Sequence, residues 1–365
     1  MSVVGYMIGA NLSLARALGG LALGFLFGAL VARTNFCTMG AVSDILLLDD
    51  RRRMRAWLLA VATAMAGTQT LAALGAVDLE QSIYVSPRIY WVGHVLGGML
   101  FGIGMVLAGG CVSRSLVRSG GGDVRALLVV LVVAIVALLA GRGPLEPLRG
   151  WLAGLMPLDL GLATQSVGDL AAAGLGIGRG EGAMLATAVV VLAMLAWCLS
   201  AQDFRRSATH IVSGLGVGLL VVLGWALNGL TRDELTLVPH ATGSLTFVRP
   251  VADTLDWLVH LETDRVPGFG VAAVLGTLAG ALVVAKWSRR FRYQSCWVDR
   301  GDAMRSLSGA VLMGFGGALG LGCTIGQGVT GTATLAIGSL LTLVSLVSGA
   351  AFGVVLLQRW FASDV

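Results

Sequence analysis

Cys37, Cys111 and Cys323 occupy one place in a repeated pattern. The stretches 100–111 and 312–323 align without gaps as L-x-G-x-G-x-x-L-x-x-G-C, and Gly28, Gly102 and Gly314 each stand nine residues before their cysteine. A fourth, weaker copy runs from Gly218 through Gly224 to Leu227, where the thiol is missing and Asn228-Gly229 follows. Thiols in an apolar wall offer a weak S–H donor and a soft, polarizable sulfur. That chemistry suits a soft, sulfur-bearing anion better than phosphate, for which guanidinium forks would be expected. A lone cysteine usually only packs, and Cys198 and Cys296, which lack the repeated context, are assigned to packing. His94 and His210 have no cysteine or carboxylate at ligand spacing, so no metal is expected; His240 and His260 fall in a long loop and are expected to be solvated. No flavin, haem or nucleotide motif is present, and no cofactor is expected.

These residues must be positioned by membrane helices. The chain has 365 residues, of which 56% are hydrophobic and 12% charged, with mean hydropathy +0.85. Soluble domains carry roughly a quarter charged residues. Spans are expected near 17–32, 56–77, 91–109, 126–140, 182–200, 209–227, 267–285, 307–322 and 341–357, each near the length a bilayer requires. The first apolar segment lacks the marks of a cleaved leader and is read as a retained span. Ser306 to Gln358 contains no Asp, Glu, Lys or Arg and is too long for one span, so it must double back at the glycine-rich stretch after Cys323.

Each cysteine is followed by a segment too short to cross: Thr38 to Asp50, Val112 to Asp123, and Thr324 to about Ser339. The economical reading is a full helix that turns at the cysteine and continues as a half-helix, with Gly109, Gly110, Gly320 and Gly322 permitting the turn. Non-helical backbone at membrane depth belongs inside protein or along a water-filled cavity, so each turn should face an interior path. A half-helix starting there directs unpaired N–H groups at that path, which favours an anion without a buried arginine. Thr38, Ser113 and Thr324 are candidates to cap the half-helices or meet the solute, with Gly326 and Gln327 as further supports of the third turn. Arg114 and Arg118 follow Cys111 and could draw anions to the mouth or serve as anchors. Arg51 to Arg53 read as an anchor or a receptor for an acidic partner, and Asp44 as a salt bridge or proton site.

The basic residues set orientation. Connections after odd-numbered spans, with the C-terminus, hold seventeen Lys and Arg against eight on the other side. That predicts the N-terminus outside and the C-terminus in the cytoplasm. Spans one and three then run inward and six and eight outward, so the four copies form two inverted halves within a single transmembrane domain over residues 1–365. The expected division is 14–140 for the first half, 141–181 for a connecting loop, and 182–361 for the second half. Such inverted pairs commonly build a central transport site. The fold class expected is all-α polytopic, with about nine spans plus re-entrant half-helices. The net charge of +5 is attributed to topology, and no nucleic-acid partner is expected.

The segments Asn35-Phe36-Cys37-Thr38-Met39-Gly40, Gly109-Gly110-Cys111-Val112-Ser113-Arg114 and Leu321-Gly322-Cys323-Thr324-Ile325-Gly326 resemble those of the YeeE/YedE sulfur-transport family. The resemblance covers nearly the whole chain. It implies thiosulfate uptake at a bacterial inner membrane, with the three cysteines lining the path and passing the anion by S–H···S hydrogen bonds, and a TusA-type cytoplasmic sulfur carrier as receiver. The first motif departs from the pattern in having no glycine before its cysteine, and Thr231 to Phe269 is long for an external connection. Competing readings are a sulfur-transfer or redox protein that forms a persulfide on one cysteine, and a membrane anchor for a soluble sulfurtransferase.

Overall fold

Apolar runs as long as a bilayer is thick fold as helices because only a helix satisfies its own backbone in hydrocarbon. A computed structural model of the chain describes residues 3–231, 243–260, 266–294, 297 and 299–363. The helices are α1 (Val3–Thr34), α2 (Thr38–Leu48), α3 (Arg52–Ala73), α4 (Trp91–Leu107), α5 (Val112–Gly120), α6 (Val124–Arg142), α7 (Glu146–Ala153) and α8 (Val167–Leu175). They continue with α9 (Arg179–Leu199), α10 (Gln202–Arg205), α11 (Ala208–Leu230), α12 (Val248–His260), α13 (Phe269–Trp287), α14 (Arg300–Leu319) and α15 (Ile337–Ser363). The described strands are one short antiparallel pair, β1 (Arg88–Ile89) and β2 (Leu158–Asp159).

All nine predicted spans hold a helix. Among the described residues, eight segments are long and apolar enough to cross a membrane, and the protein is a multi-pass membrane protein. The ninth, α14, opens with Arg300, Asp302 and Arg305, and its remaining apolar stretch falls short of a full crossing. It is nonetheless packed against α4 and α6.

The repeated glycines lie where helices cross. A β-carbon on Gly28 would stand 2.1 Å from the Thr277 carbonyl of α13, and one on Gly102 would stand 2.2 Å from the Leu346 carbonyl of α15. In the same way Gly218 bears on Thr63 of α3 at 2.6 Å and Gly314 on Val136 of α6 at 2.8 Å. Close backbone approach at small residues is how helices associate where lipid is as apolar as the side chains.

These crossings fix relative directions. Gly20, Gly24 and Gly28 meet Phe269, Ala273 and Thr277 in turn, so α1 and α13 are parallel; α3 with α11 and α4 with α15 are parallel by the same kind of register. Gly97 meets Gly320 while Gly104 meets Gly309, so α4 and α14 are antiparallel, as are α1 and α11. Exchanging α1 with α11, α3 with α13, α4 with α14 and α6 with α15 turns the α1–α13 packing into α11–α3 and the α4–α15 packing into α14–α6. The short helices obey the same exchange: α2 packs on α3, α4 and α15, whereas α12 packs on α13, α14 and α6. Helices α7 to α10 lie between the two sets and have no counterpart in this exchange.

Three segments differ from expectation. The expected external loop between spans six and seven contains α12, whose Val248, Pro250, Val251, Ala252 and Thr254 are buried. Its proline lies in the first helical turn, where no intrahelical N–H is needed, and its charged residues sit on the opposite face. After Cys323 there is no regular half-helix. A wide turn over Gly326–Gly331 and a tight one over Thr332–Thr334 lead directly into α15, because three glycines in six residues carry little helix propensity. The connection 141–181 is structured rather than a loop: Gln165 accepts from the Gly338 N–H at 2.9 Å, and its own carbonyl accepts from Ile337, so the connection is tied to the start of α15. His260 is exposed beside Asp256, whereas His240 and Cys296 lie outside the described residues.

Candidate functional site

The residue two places before each cysteine has a left-handed backbone: Asn35 at φ 55°, Gly109 at 72° and Leu321 at 59°. This is the common geometry that lets each long helix stop and the chain turn inward. It explains how the first motif manages without glycine, since asparagine tolerates this conformation far better than most residues. The expectation that glycines beside the cysteine make the turn is therefore corrected for the third motif, where Leu321 carries it and Gly322 instead makes room for the side chain of Gln327, whose Cγ would stand 3.1 Å from a β-carbon there.

The thiols, not the hydroxyls, occupy the capping positions. Cys37 precedes α2 and its Sγ accepts from the Gly40 N–H at 3.4 Å; Cys323 Sγ accepts likewise from Gly326 at 3.3 Å. Cys111 precedes α5 and has Ser113 Oγ 3.3 Å from its sulfur. Thr38 is spent elsewhere, its Oγ1 accepting from buried Trp57 Nε1 at 3.0 Å. The hydroxyl of Thr324 has no partner at ordinary hydrogen-bond geometry but faces the Cys111 thiol. Gln327 donates to the Gly320 carbonyl at 2.8 Å and so holds the end of α14, while its own oxygen is unpartnered.

The three thiols come together. Cys37 and Cys111 face one another, and Cys111 lies near enough to Cys323 for the two to interact electrostatically. Cys111 and Cys323 are buried and Cys37 is half-buried. Cys198, by contrast, is sealed away against the Arg55 carbonyl at 3.3 Å, where it packs as expected.

A cavity opens on each side of this cluster. One, of about 470 Å³, lies among the C-terminal ends of α1 and α13 and helix α5. Arg33, Arg114, Arg118, Arg290 and Arg292 line it, with Asp123 as its one acid. Arg118 is held by Asp123 at 2.6 Å and donates to the Gly109 carbonyl at 3.2 Å, so it fixes the turn. Among the described residues Arg114 reaches only the Asn35 side chain, at 2.8 Å, and has no carboxylate partner in the cavity. The second cavity, of about 340 Å³, lies among the C-terminal ends of α6 and α14 and the start of α12, bounded by Tyr84, Thr246 and Gly322. Its arginines are largely neutralised: Arg142 pairs with Asp253 and Asp256, Arg249 with Asp253, and Arg149 with Glu146. Because α1 and α13 run opposite to α6 and α14, the two cavities sit on opposite faces. Asp44 is paired to Arg53 at 3.3 Å, which favours the salt-bridge reading of that residue.

Sequence reasoning missed the contribution of Leu245, Thr246 and Phe247, the segment that leads into α12 and lies against Cys323. Its signal was the fourth repeat copy: a helix ending at that copy should also be followed by a short inward helix.

A multi-pass helical protein whose half-helices start at a buried cluster between two opposed cavities is built as a membrane transporter. The chain belongs to the sulphur-transport family, whose pattern it matches over residues 33–352. It is 28% identical over 359 residues to the thiosulfate transporter TsuA of Escherichia coli K12, covering 91% of this chain and 92% of the relative. The thiosulfate transporter TsuA of Spirochaeta thermophila is 27% identical over 346 residues, covering 90% and 96%. A shorter similarity, 34% over 100 residues, links it to the probable transporter YedE of Escherichia coli K12, covering 27% of this chain and 23% of that one.

Proposed function

We propose that this protein imports thiosulfate or a closely related sulfur-containing anion, passing it between the thiols of Cys37, Cys111 and Cys323. The observation that carries this reading is the convergence of three repeated thiols between two opposed cavities. A permanent charge at this depth would cost several kcal/mol and would trap a dianion. Neutral S–H donors and the exposed N–H groups at the starts of α2 and α5 can solvate the anion weakly enough to release it. The relatives named as thiosulfate transporters, aligned over nine-tenths of the chain, support the substrate.

The path is formed by two inverted halves. The antiparallel pairs α1–α11 and α4–α14, and the exchange that maps one set of packings on the other, support this arrangement. The halves are residues 14–140 and 182–361, joined by 141–181, and α9 and α10 of the second half lack a counterpart in the first. The arginine-lined cavity is the cytoplasmic mouth of a protein in the bacterial inner membrane, with the N-terminus outside and the C-terminus in the cytoplasm, as the basic-residue bias favours. Arg33, Arg114, Arg290 and Arg292 there attract the anion as it leaves the thiols, and a TusA-type carrier is the receiver the resemblance suggests.

Proteoliposomes containing only this protein, given radiolabelled thiosulfate, test the reading. The expected result is saturable uptake that Cys111→Ala abolishes. Equal uptake by a folded Cys37→Ala, Cys111→Ala, Cys323→Ala triple variant overturns it, and a stable mass gain on Cys111 after exposure to thiosulfate would favour persulfide chemistry instead.

A further inference from the structure

The exchange of helices that relates α2 to α12 also implies a fourth inward turn, and the described chain has one. Cys37 and Cys111 stand immediately before α2 and α5; the residue immediately before α12 is Phe247. Its ring is buried and lies against Phe27, with centroids 4.9 Å apart and planes at 34°. Its backbone N–H faces Cys323. An aromatic ring thus fills the place of the absent thiol, and the polar function moves one residue back.

That residue is Thr246. It is half-buried and lines the cavity on the Cys323 side together with Tyr84 and Gly322. Its Oγ1 lies 2.3 Å, and Cys323 Sγ 3.7 Å, from the point that a β-carbon on Gly326 would occupy. Glycine at 326 thus leaves room for the Thr246 hydroxyl, which sits there with the Cys323 thiol close by. Three nearby hydroxyls are committed to the backbone: Ser244 donates to the Val221 carbonyl, Thr330 to Leu245 and Thr332 to Gly328, each at 2.6 Å. Among the described residues Thr246 has no hydrogen-bond partner in the protein. The arginines of this cavity are already paired with carboxylates, so the donor beside the thiol is a neutral one.

We infer that Thr246 is a specificity-determining ligand of the path: its hydroxyl donates to an oxygen of the incoming anion while Cys323 meets the sulfur. The inference rests on the transport reading above and adds what the site measures. It recognises anions that present both a terminal sulfur and an oxygen, and disfavours hydrosulfide and polysulfides, which have no oxygen to accept the bond. A site built to hydrogen-bond an oxygen rejects an analogue that lacks it because its own donor is left unpaired.

The test is uptake kinetics in proteoliposomes for wild type, Thr246→Val, Thr246→Ser and Thr246→Ala, with unfolding midpoints recorded in detergent. Thr246→Val preserves shape and removes the hydroxyl. It should raise KM for thiosulfate at least about tenfold, the effect of losing one hydrogen bond to a charged group, with the maximal rate within about twofold. Thr246→Ser should stay within about threefold of wild type. Unlabelled hydrosulfide should compete better against Thr246→Val than against wild type. An unchanged KM in Thr246→Val, or in Thr246→Ala if the valine variant does not fold, overturns the inference while leaving the transport reading intact. A fall in maximal rate shared by the serine variant also overturns it, by assigning the side chain to structure. A wild type that carries no thiosulfate sinks the transport reading and this inference with it.

Discussion

A thiol placed where a long helix stops and the chain turns inward can accept from the N–H three residues on, as Cys37 and Cys323 show with Gly40 and Gly326. The three thiols differ in setting. Cys111 lies in the middle, facing both others, so Cys111→Ser should reduce thiosulfate uptake by at least about tenfold, because an O–H is a harder partner for sulfur than S–H. Cys37→Ser, at the half-buried end, should lose less. Initial rates in proteoliposomes check the order, and equal losses at both positions would remove the central role given to Cys111. Outside the membrane, Asp169 is held by Nε and Nη2 of Arg179, each at 2.9 Å, and by the Thr164 hydroxyl at 2.6 Å. Burial opposes its charge, but these partners outweigh it and hold its carboxyl below the usual range. A carboxyl depressed on folding contributes stability above its unfolded value, about 3.9, and loses that contribution as pH falls through the folded value. The stability gap between wild type and Asp169→Asn should be full at pH 7 and close below about pH 4. A gap that persists at acid pH would mean that the pair contributes through packing alone.

The helices that end at the thiols, α1, α4 and α14, are each joined to a neighbour by glycine and ended by a left-handed residue. Gly102→Val would force a side chain to within 2.2 Å of the Leu346 carbonyl and should cost about 1–3 kcal/mol by overpacking, read as a lowered unfolding midpoint. Gly141, with nothing within 4 Å of a β-carbon, is the matched control and should tolerate alanine. Asn35→Val should destabilise by roughly 1–2 kcal/mol, the cost of a β-branched residue at positive φ, while Asn35→Gly should be tolerated in stability and lose only the contact to Arg114. The repeated glycines and cysteines made the long helices and three turns legible in sequence, because close packing and sharp turns permit few residue types. The turns' left-handed positions were hidden, since Asn35 and Leu321 share no side-chain chemistry with Gly109. Helix α12 was hidden for another reason: with Arg249, Asp253 and Asp256 on one face, its composition reads as a loop, and only its buried face reveals it. The wide turn after Cys323 escaped because glycine-rich sequence announces a break in a helix without stating its shape.

At the scale of the whole molecule, the two cavities never merge: the thiol cluster and the Phe27–Phe247 contact lie between them. Among the described residues, the arginine-lined one holds Arg33, Arg114, Arg290 and Arg292 without a carboxylate partner while the arginines of the other are paired, an arrangement that draws an anion out of the thiols toward one face. This gives the proposed orientation a direct test. Ser288 borders the arginine-lined cavity and Ala318 the opposite one, so Ser288→Cys and Ala318→Cys mark the two faces. In intact cells a membrane-impermeant maleimide should label the cysteine at 318 and spare the one at 288; in inside-out vesicles the pattern should reverse. Mass spectrometry of the peptides identifies the labelled site despite the native thiols. The opposite pattern would invert the protein in the membrane and turn the arginine cavity into an entrance. Labelling of both positions from one side would contradict the two-faced path itself, because α14, at whose end Ala318 lies, runs antiparallel to α4, whose own end lies beside the arginine-lined cavity.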